Sequence, residues 1–228
     1  MKAVVLHAPG DIGVDDVSDP RVLEPDDAIV AVSATAICGA DLFPFHGLTP
    51  GFEPGTVLGH EFAGEVVEVG PGVQRVRPGQ RVVNASMISD GTCPSCRAGR
   101  VTQCKGRSLF GYSGVYPRLD GGQAELVRVP QADRALRPLP DDVSDEAAVF
   151  LADILPTGHG AVVRSGDGQP RAGERQGRVR RVDVERLDVE ADPVAVERNR
   201  AVDVRDGEDR TRAPGAQLCV WPPSATMS

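Results

Sequence analysis

Short valine-rich segments separated by clusters of Gly, Pro and Asp run through the first 150 residues of the chain. The segments are KAVVLH, DAIVAVSATAIC, GEVVEVG, QRVVNAS and AELVRVP. Short apolar runs bounded by turn-forming residues are typical of β-strands. Their close spacing favours a small, irregular barrel over an alternation of strands and helices. We therefore predict a mainly β domain with some helix over residues 1–150.

The pattern becomes helical in SDEAAVFLADIL, residues 144–155. Ser144 or Asp145 is a suitable N-cap, because a side-chain oxygen there can accept a hydrogen bond from a free amide of the first turn. We predict a helix in this segment, and we expect residues 151–165 to lead the chain out of the β domain.

Beyond Ser165 the composition changes again. Residues 166–228 are dense in Arg, Asp and Glu and contain no Lys, Ile, Phe or Tyr. Valine alternates with charge there, but few large apolar side chains are available for a core, which is the compositional signature of disorder. We predict an irregular, disordered tail without an internal repeat, and we assign no function to its cysteine, Cys219.

Composition excludes several classes of function. The 228 residues are 40% hydrophobic, which is enough for a globular core, and the net charge is −8. An acidic chain without a basic cluster does not fit a nucleic-acid surface. The apolar run in the opening MKAVVLHAPGD is too short for a signal peptide or a membrane span. We expect a cytoplasmic protein with reduced thiols and with neither a nucleic-acid nor a membrane partner.

Three cysteines crowd into SDGTCPSCRAGRVTQC, residues 89–104. The spacing of Cys93, Cys96 and Cys104 lets the sulfurs of a short looped segment converge, as a tetrahedral, thiolate-rich zinc site requires. Asp90 precedes Cys93 by the same interval that separates Cys93 from Cys96, and its carboxylate is our candidate for the fourth ligand. The alternatives are a disulfide with one free thiol, or three buried cysteines without a metal.

Two other motifs carry side chains that bind metals. Cys38 ends an apolar run in AICGADL, and His60 and Glu61 lie between glycines in VLGHEFAGEVVEVG. Cysteine, histidine and a carboxylate are ligands of catalytic zinc, which keeps one position open for water or substrate. We expect a further protein ligand from Asp153 in FLADILPTG. Each motif alone also fits a simpler interpretation, with the cysteine in the core and the histidine hydrogen-bonded.

The four motifs CGAD, GHEFAGEVVEVG, DGTCPSCRAG and LADILPTG, in this order, resemble the zinc-dependent alcohol dehydrogenases of the medium-chain dehydrogenase/reductase family. The resemblance covers roughly residues 1–163. It implies a GroES-like, barrel-type N-terminal catalytic domain, in agreement with the β-rich pattern. It also implies that residues 151–165 begin the helix that links this domain to a cofactor-binding domain.

The resemblance assigns roles to the residues of the Cys38 and His60 motifs and to Asp153. Cys38, His60 and Asp153 are expected to bind a catalytic zinc, with Glu61 beside them as a neighbour or alternate ligand. Asp41 would orient the ligating imidazole, as carboxylates next to zinc-bound histidines do.

For the cysteine cluster the resemblance implies a structural zinc, with Asp90 standing where the family usually has its first cysteine. The expected cofactors are therefore two zinc ions, together with NAD or NADP in the intact family. The expected partner is a small alcohol or its carbonyl product. Members of the family form homo-oligomers, which we do not carry over to this chain.

The chain departs from the family pattern in two respects. The family commonly relays the substrate proton through a Ser or Thr hydroxyl and a histidine, but Ala40 and Phe43 occupy those places, so His46 is the nearby candidate. After LPTG the family has a glycine-rich nucleotide-binding turn between a strand and a helix, and SGDGQPRAG lacks that context. We therefore expect the Rossmann domain to be absent, and we interpret the break near Ser165 as a truncation or a change of reading frame.

Two functional hypotheses follow. The first is an oxidoreductase that converts an alcohol to an aldehyde or ketone with hydride transfer to NAD(P). The second is a catalytically inactive zinc-binding protein that lacks the nucleotide-binding domain. A zinc-free quinone reductase of the same superfamily fits less well, because it has no use for Cys38, His60 and the cysteine cluster.

Overall fold

The computed structural model describes residues 1–165 and 217–220. The described residues up to Gly160 and those of the last strand form one compact unit, and the end of the last helix belongs to another. The strands are β1 (Lys2–Ala8), β2 (Asp11–Asp16), β3 (Ala28–Ile37), β4 (Thr56–Val57), β5 (Phe62–Val69), β6 (Arg81–Asn84), β7 (Met87–Ile88), β8 (Ser108–Leu109), β9 (Leu126–Val129), β10 (Leu136–Pro138) and β11 (Gln217–Val220). The helices are α1 (Leu42–Phe45), α2 (Pro94–Arg97), α3 (Ala132–Ala135), α4 (Asp145–Val149) and α5 (Ile154–Ser165).

The strands form three antiparallel sheets. The largest has the order β10-β6-β5-β3-β11, and β9 also pairs with β3. A second sheet has the order β2-β1-β4, and β7 pairs with β8 in a third. The prediction of a mainly β chain is confirmed, and each of the five segments identified as strands overlaps one, namely β1, β3, β5, β6 and β9.

Strand β3 is the centre of the large sheet because its nearly continuous apolar sequence tolerates burial on both faces. It pairs with β5 on one side; on the other, Ala28–Ala31 pair with β9 and Ala34–Ile37 pair with β11. The register with β5 is irregular between Val32 and Ala34.

The described core has three apolar clusters, and two of them share β3 on either side of this irregularity. Ala28, Val30 and Val32 pack in a cluster with Phe62 and Phe110, whose rings meet edge to face. Residues after the irregularity instead join a cluster that includes α4; this second cluster contains Ala34, Ala36, Ala63, Val83, Ala148, Val149 and Ala152. The large sheet therefore separates these two clusters, and the last buried residues of β3 pack on the side of α4.

Strand β2 is absent from the sequence prediction because its sequence, DIGVDD, is largely polar and its apolar side chains are exposed, with Val14 61% accessible. A tight turn creates this strand. Pro9 and Gly10 link it to β1, and Gly10 has a φ of 79°, a conformation that glycine adopts without strain.

The helix predicted over residues 144–155 is interrupted. Ser144 is the N-cap of α4, since its hydroxyl accepts a hydrogen bond from the amide of Ala147 at 3.3 Å, and Asp145 is the first helical residue. The amides of Leu151 and Ala152 bond to carbonyls three residues earlier, which tightens the chain into a turn before α5 begins. The break between α4 and α5 affects the site, because Asp153 lies in it.

The predicted irregular tail, residues 166–228, lies outside the described residues except for β11. There the structure shows a strand paired with β3, with Val220 opposite Ala34 and Cys219 opposite Thr35. The composition of the whole segment concealed this short apolar run, QLCV. The prediction that a Rossmann domain is absent also falls on undescribed residues. None of the helices described is long and apolar enough to cross a membrane.

Candidate metal centres

Two loops bring the ligands of the first centre to the end of the large sheet. Cys38 directly follows β3 and caps the short 3₁₀ turn Gly39–Asp41. The Asp41 carboxylate accepts a hydrogen bond from the amide of Cys38 at 3.0 Å, which fixes the direction of the turn. His60 and Glu61 occupy the connection between β4 and β5. Because β3 and β5 are antiparallel neighbours, the end of β3 lies beside the start of β5. Both loops therefore lie at the same end of these two strands.

The side chains of Cys38, His60 and Glu61 converge. One potential ligand atom from each lies within 4.8 Å of the other two. His60 and Glu61 are each only 1% exposed, yet His60 Nε2 and Glu61 Oε2 have no hydrogen-bond partner. Burying a polar atom without a hydrogen-bond partner costs free energy, so these two atoms indicate a binding partner. A zinc ion would satisfy both, and the set of sulfur, nitrogen and oxygen atoms suits it.

Asp41 lies on the other side of the imidazole. Its Oδ1 atom is 3.2 Å from Nδ1 of His60, and both side chains are buried. With the proton on Nδ1, this contact leaves the Nε2 lone pair directed at Cys38 and Glu61. A carboxylate partner of this kind holds the ring orientation and tautomer that a metal requires.

The electrostatics of the group favour a positive charge. Burial lowers the pKa of His60, but the neighbouring Asp41 and Cys38 outweigh it and raise the pKa to about 10. Burial raises the pKa of Glu61, and the neighbouring His60 opposes that rise. A thiol and several carboxylates thus surround one imidazole, and a bound cation competes with its proton for the same lone pair.

Asp153 lies at the edge of this group. Its Oδ2 atom is 3.6 Å from His60 Nε2, about as far as the 3.7 Å of Glu61 Oε1. However, Asp153 does not join the group in which every ligand atom lies within 4.8 Å of the others. Its side chain is 30% exposed, and its Oδ1 accepts a hydrogen bond from the Thr157 hydroxyl at 2.6 Å. The structure therefore places Asp153 beside His60 and places Glu61 within the group.

Several residues that support the site were not identified from sequence. Asn84 binds the loop, because its amide donates to the His60 carbonyl and accepts from the Phe62 amide, both at 2.8 Å. The Tyr112 hydroxyl donates to the Ala40 carbonyl, and its ring lies edge-on to His60. Gln123 contacts Asp41. The available signal was a lone amide side chain at the end of an apolar strand, as in QRVVNAS.

The proposed proton relay has no counterpart among these contacts. Phe43 is 55% exposed, and His46 is exposed with its ring edge-on to Phe45. The role of His46 stays a prediction.

The second centre is contained in one loop between β7 and β8. Asp90, Cys93, Cys96 and Cys104 each place one ligand atom within 4.8 Å of the others. Cys104 is buried and the other three are half-buried. Cys38, Cys93, Cys96 and Cys104 are all free, so the alternative with a disulfide in this loop is not found. Three sulfurs and one oxygen at this separation fit a tetrahedral zinc ion.

Asp90 uses its two oxygens differently. Oδ1 accepts hydrogen bonds from the amides of Thr92 and Cys93, at 2.7 and 2.9 Å. Oδ2 faces Cys104 Sγ at 3.2 Å. The first oxygen folds the loop and the second is directed at the sulfurs, so this side chain offers a single ligand atom.

Hydrogen bonds also set the charges of this loop. The amides of Cys93 and Thr92 hold the pKa of Asp90 well below its usual range. The amide of Cys96 donates to Cys93 Sγ and lowers the pKa of Cys93. Burial, with contributions from Cys93 and Cys104, raises the pKa of Cys96 to about 11. The Asp90 carboxylate is therefore anionic and the Cys93 thiol ionises more easily than a free cysteine, and both effects favour binding of a cation.

A mainly β domain with a Cys-His-Glu group, of which the histidine and glutamate are buried, and a separate group of one aspartate and three cysteines has the residue chemistry of a two-site zinc protein. Residues 24–141 match the family model of the alcohol dehydrogenase GroES-like domain. The chain belongs to the zinc-type alcohol dehydrogenases of the medium-chain dehydrogenase/reductase family.

Individual relatives show the same similarity. Zinc-type alcohol dehydrogenase B of Aspergillus flavus is 42% identical over 159 residues, which are 70% of this chain and 36% of that protein. A medium chain reductase/dehydrogenase of Acremonium sp. is 43% identical over 158 residues, or 69% of this chain and 53% of that one. The structure of an alcohol dehydrogenase from Thermus sp. ATN1 has a TM-score of 0.70 and 42% identity, covering 73% of this chain and 48% of its own. The chain thus spans about a third to a half of the length of these relatives.

Proposed function

We propose that the chain acts in a zinc-dependent oxidoreductase reaction, in which an alcohol is converted to an aldehyde or ketone with hydride transfer to NAD or NADP. The observation that carries this proposal is the pair of buried, unpartnered atoms His60 Nε2 and Glu61 Oε2 beside Cys38. The names of the relatives, which are alcohol dehydrogenases and a medium chain reductase/dehydrogenase, support the reaction class.

Each residue has a distinct part in the proposed reaction. Cys38 and His60 would hold a catalytic zinc, with a carboxylate from Glu61 or Asp153. A zinc ion supplies Lewis acidity toward an alcohol or carbonyl oxygen. Asp41, 3.2 Å from His60 Nδ1, would hold a proton on that nitrogen and keep the ring in place. The burial of His60 and Glu61 excludes water from one side, and the half-exposed Asp153 marks the open side, where a small substrate would approach.

The second centre has a structural part in this proposal. Asp90 and its three cysteines would bind a zinc ion that cross-links the loop between β7 and β8. Free cysteines in both centres agree with a reducing, cytoplasmic location, which we include in the proposal.

Metal analysis tests the proposal first. The purified chain should contain close to two zinc ions, falling toward one in Cys38→Ala and also in Cys96→Ala. Cys219→Ala is the matched control, since Cys219 is not among the proposed ligands, and it should retain both ions. Zinc content that is unchanged in Cys38→Ala would rule out the catalytic centre.

A hydride-transfer assay then separates the two functional hypotheses. The chain is incubated with NAD or NADP and a panel of primary, secondary and polyhydric alcohols, and reduced cofactor is followed by absorbance. Zinc-dependent reduction that Cys38→Ala abolishes supports the dehydrogenase. Two bound zinc ions without reduction of either nucleotide support the catalytically inactive zinc protein.

A further inference from the structure

Gln123 is a buried polar residue that the proposed chemistry does not use. It lies between Gly122 and Ala124, just before β9, and its side chain is 5% exposed. Its amide nitrogen, Nε2, donates hydrogen bonds to two acceptors, Asp41 Oδ2 at 3.2 Å and the Ala36 carbonyl at 3.3 Å. One side chain therefore ties β3 to the turn that carries Asp41.

The contact with Asp41 completes the coordination of that carboxylate. Oδ2 accepts from the amide of Cys38 and from Gln123, while Oδ1 faces His60 Nδ1. With Oδ2 occupied by two donors, the plane of the carboxylate is fixed and Oδ1 is left for the imidazole. A rotated Asp41 would release both the ring of His60 and the amide of Cys38.

Gln123 also packs against the loop that bears His60. A Cβ atom on Gly59 would lie 2.5 Å from Gln123 Cγ, and Gly59 has a φ of 97°, so glycine is needed there on both counts. The backbone amide of Gln123 donates to the Leu58 carbonyl at 2.9 Å, and the backbone amide of Gly122 donates to the Gly59 carbonyl at 2.8 Å. The backbone before His60 is thus held against this residue.

From these contacts we propose that Gln123 is a positioning residue for the Cys38-His60 centre, acting through the Asp41 carboxylate to set the orientation and metal affinity of His60. The inference rests on the proposed function, because it concerns the same centre. Partners that lie one contact beyond a metal ligand typically change affinity by roughly 10- to 100-fold when they are lost.

Gln123→Met tests this inference, since methionine keeps the length and removes the donor. Thr56→Val is the control: Thr56 is fully buried, and its hydroxyl is hydrogen-bonded to Glu53 and Ser113, neither of which is a proposed metal ligand. Cobalt(II) is titrated into each metal-free protein against a chromophoric chelator, and the spectrum of the Cys38→Ala variant is subtracted to isolate the Cys38 centre. Urea unfolding is measured in parallel.

Gln123→Met should lower the cobalt affinity of the Cys38 centre by roughly 10- to 100-fold and shift the ligand-field bands of the bound cobalt. Thr56→Val should change neither the affinity nor the bands, although it should lose a comparable amount of stability. Equal affinity and an unchanged spectrum in Gln123→Met would overturn the inference and leave the proposed function intact. An equal loss in Thr56→Val would also overturn it, because the effect would then be one of stability. If the unsubstituted chain shows no cobalt signal that depends on Cys38, the proposed function itself fails.

Discussion

At the scale of single residues, the two centres differ in how local their ligands are. The group of one aspartate and three cysteines is built within residues 90–104, and Asp90 both folds this loop and faces the sulfurs. The Cys-His-Glu group depends on two separate loops and on a carboxylate, Asp41, behind the imidazole. A substitution in the first group therefore acts on one loop, whereas a substitution in the second acts through neighbours.

Two substitutions of Asp90 separate its two tasks. Asp90→Asn keeps an oxygen that can accept from the amides of Thr92 and Cys93 but removes the negative charge that faces Cys104, so we expect a folded loop with weakened zinc binding. Asp90→Ala removes both, and we expect loss of zinc together with loss of amide protection in the loop.

Zinc content after dialysis against a graded series of chelator concentrations, together with hydrogen exchange of residues 90–104, distinguishes these results. Asp90→Cys is the matched control, because a thiolate is a good zinc ligand at this position, and it should retain the metal. Full zinc retention in Asp90→Ala would exclude the carboxylate as a ligand.

At the scale of elements, the close approach of β3 and β5 positions the catalytic loops. A Cβ atom on Gly64 in β5 would lie 2.0 Å from the Ala31 carbonyl oxygen of β3. No side chain fits there without moving one strand away from the other. The same two strands deliver Cys38 and the loop of His60, so their separation sets the spacing of the ligands.

Gly64→Ala should therefore destabilise the fold by about 1–3 kcal/mol or more, because the strands must separate to admit the methyl group. Gly158→Ala is the control. Gly158 is exposed within α5 and has no neighbour near its Cβ position, so alanine there should raise stability by up to about 1 kcal/mol. Urea unfolding measures both, and a neutral Gly64→Ala would contradict the close packing.

The N-cap of α4 is a second element-scale contact. Removal of the hydroxyl in Ser144→Ala leaves the amide of Ala147 without its partner, and we expect a loss of about 1 kcal/mol in the free energy of unfolding. Ser18→Ala, at an exposed position outside any helix, should be neutral. The comparison fails if both variants unfold at the same urea concentration as the parent.

At the scale of the whole molecule, bound metal should add to the stability of the described β unit. A ligand that binds only the folded state stabilises it by about 2.7 kcal/mol when its concentration is 100 times the dissociation constant. Chelation should therefore lower the midpoint of urea unfolding, and added zinc should restore it.

Magnesium is the control ion in that experiment, because it prefers oxygen ligands and octahedral geometry and should not restore the midpoint. Cys96→Ala should show a smaller response to chelation than the parent, since one centre has already been lost. A midpoint that is identical with and without chelator would show that neither centre supports the fold.

The sequence alone predicted the class of the chain and most of its central strands, gave Ser144 or Asp145 as the N-cap of a helix, and proposed the ligands of both candidate centres. These features are local: strands follow from apolar runs between turn residues, and the Asp90 loop needs only a short chain to converge. The family resemblance rested on four such local motifs and was confirmed by the match to residues 24–141.

Only the tertiary structure decided which residues surround His60. It placed Glu61 within the group and Asp153 at its edge, because the predicted helix breaks before α5. It also brought Gln123 to Asp41, across more than eighty residues of chain. Such contacts depend on which strands pair and how far apart they pack. These properties involve segments that are distant in the sequence, so no single segment specifies them.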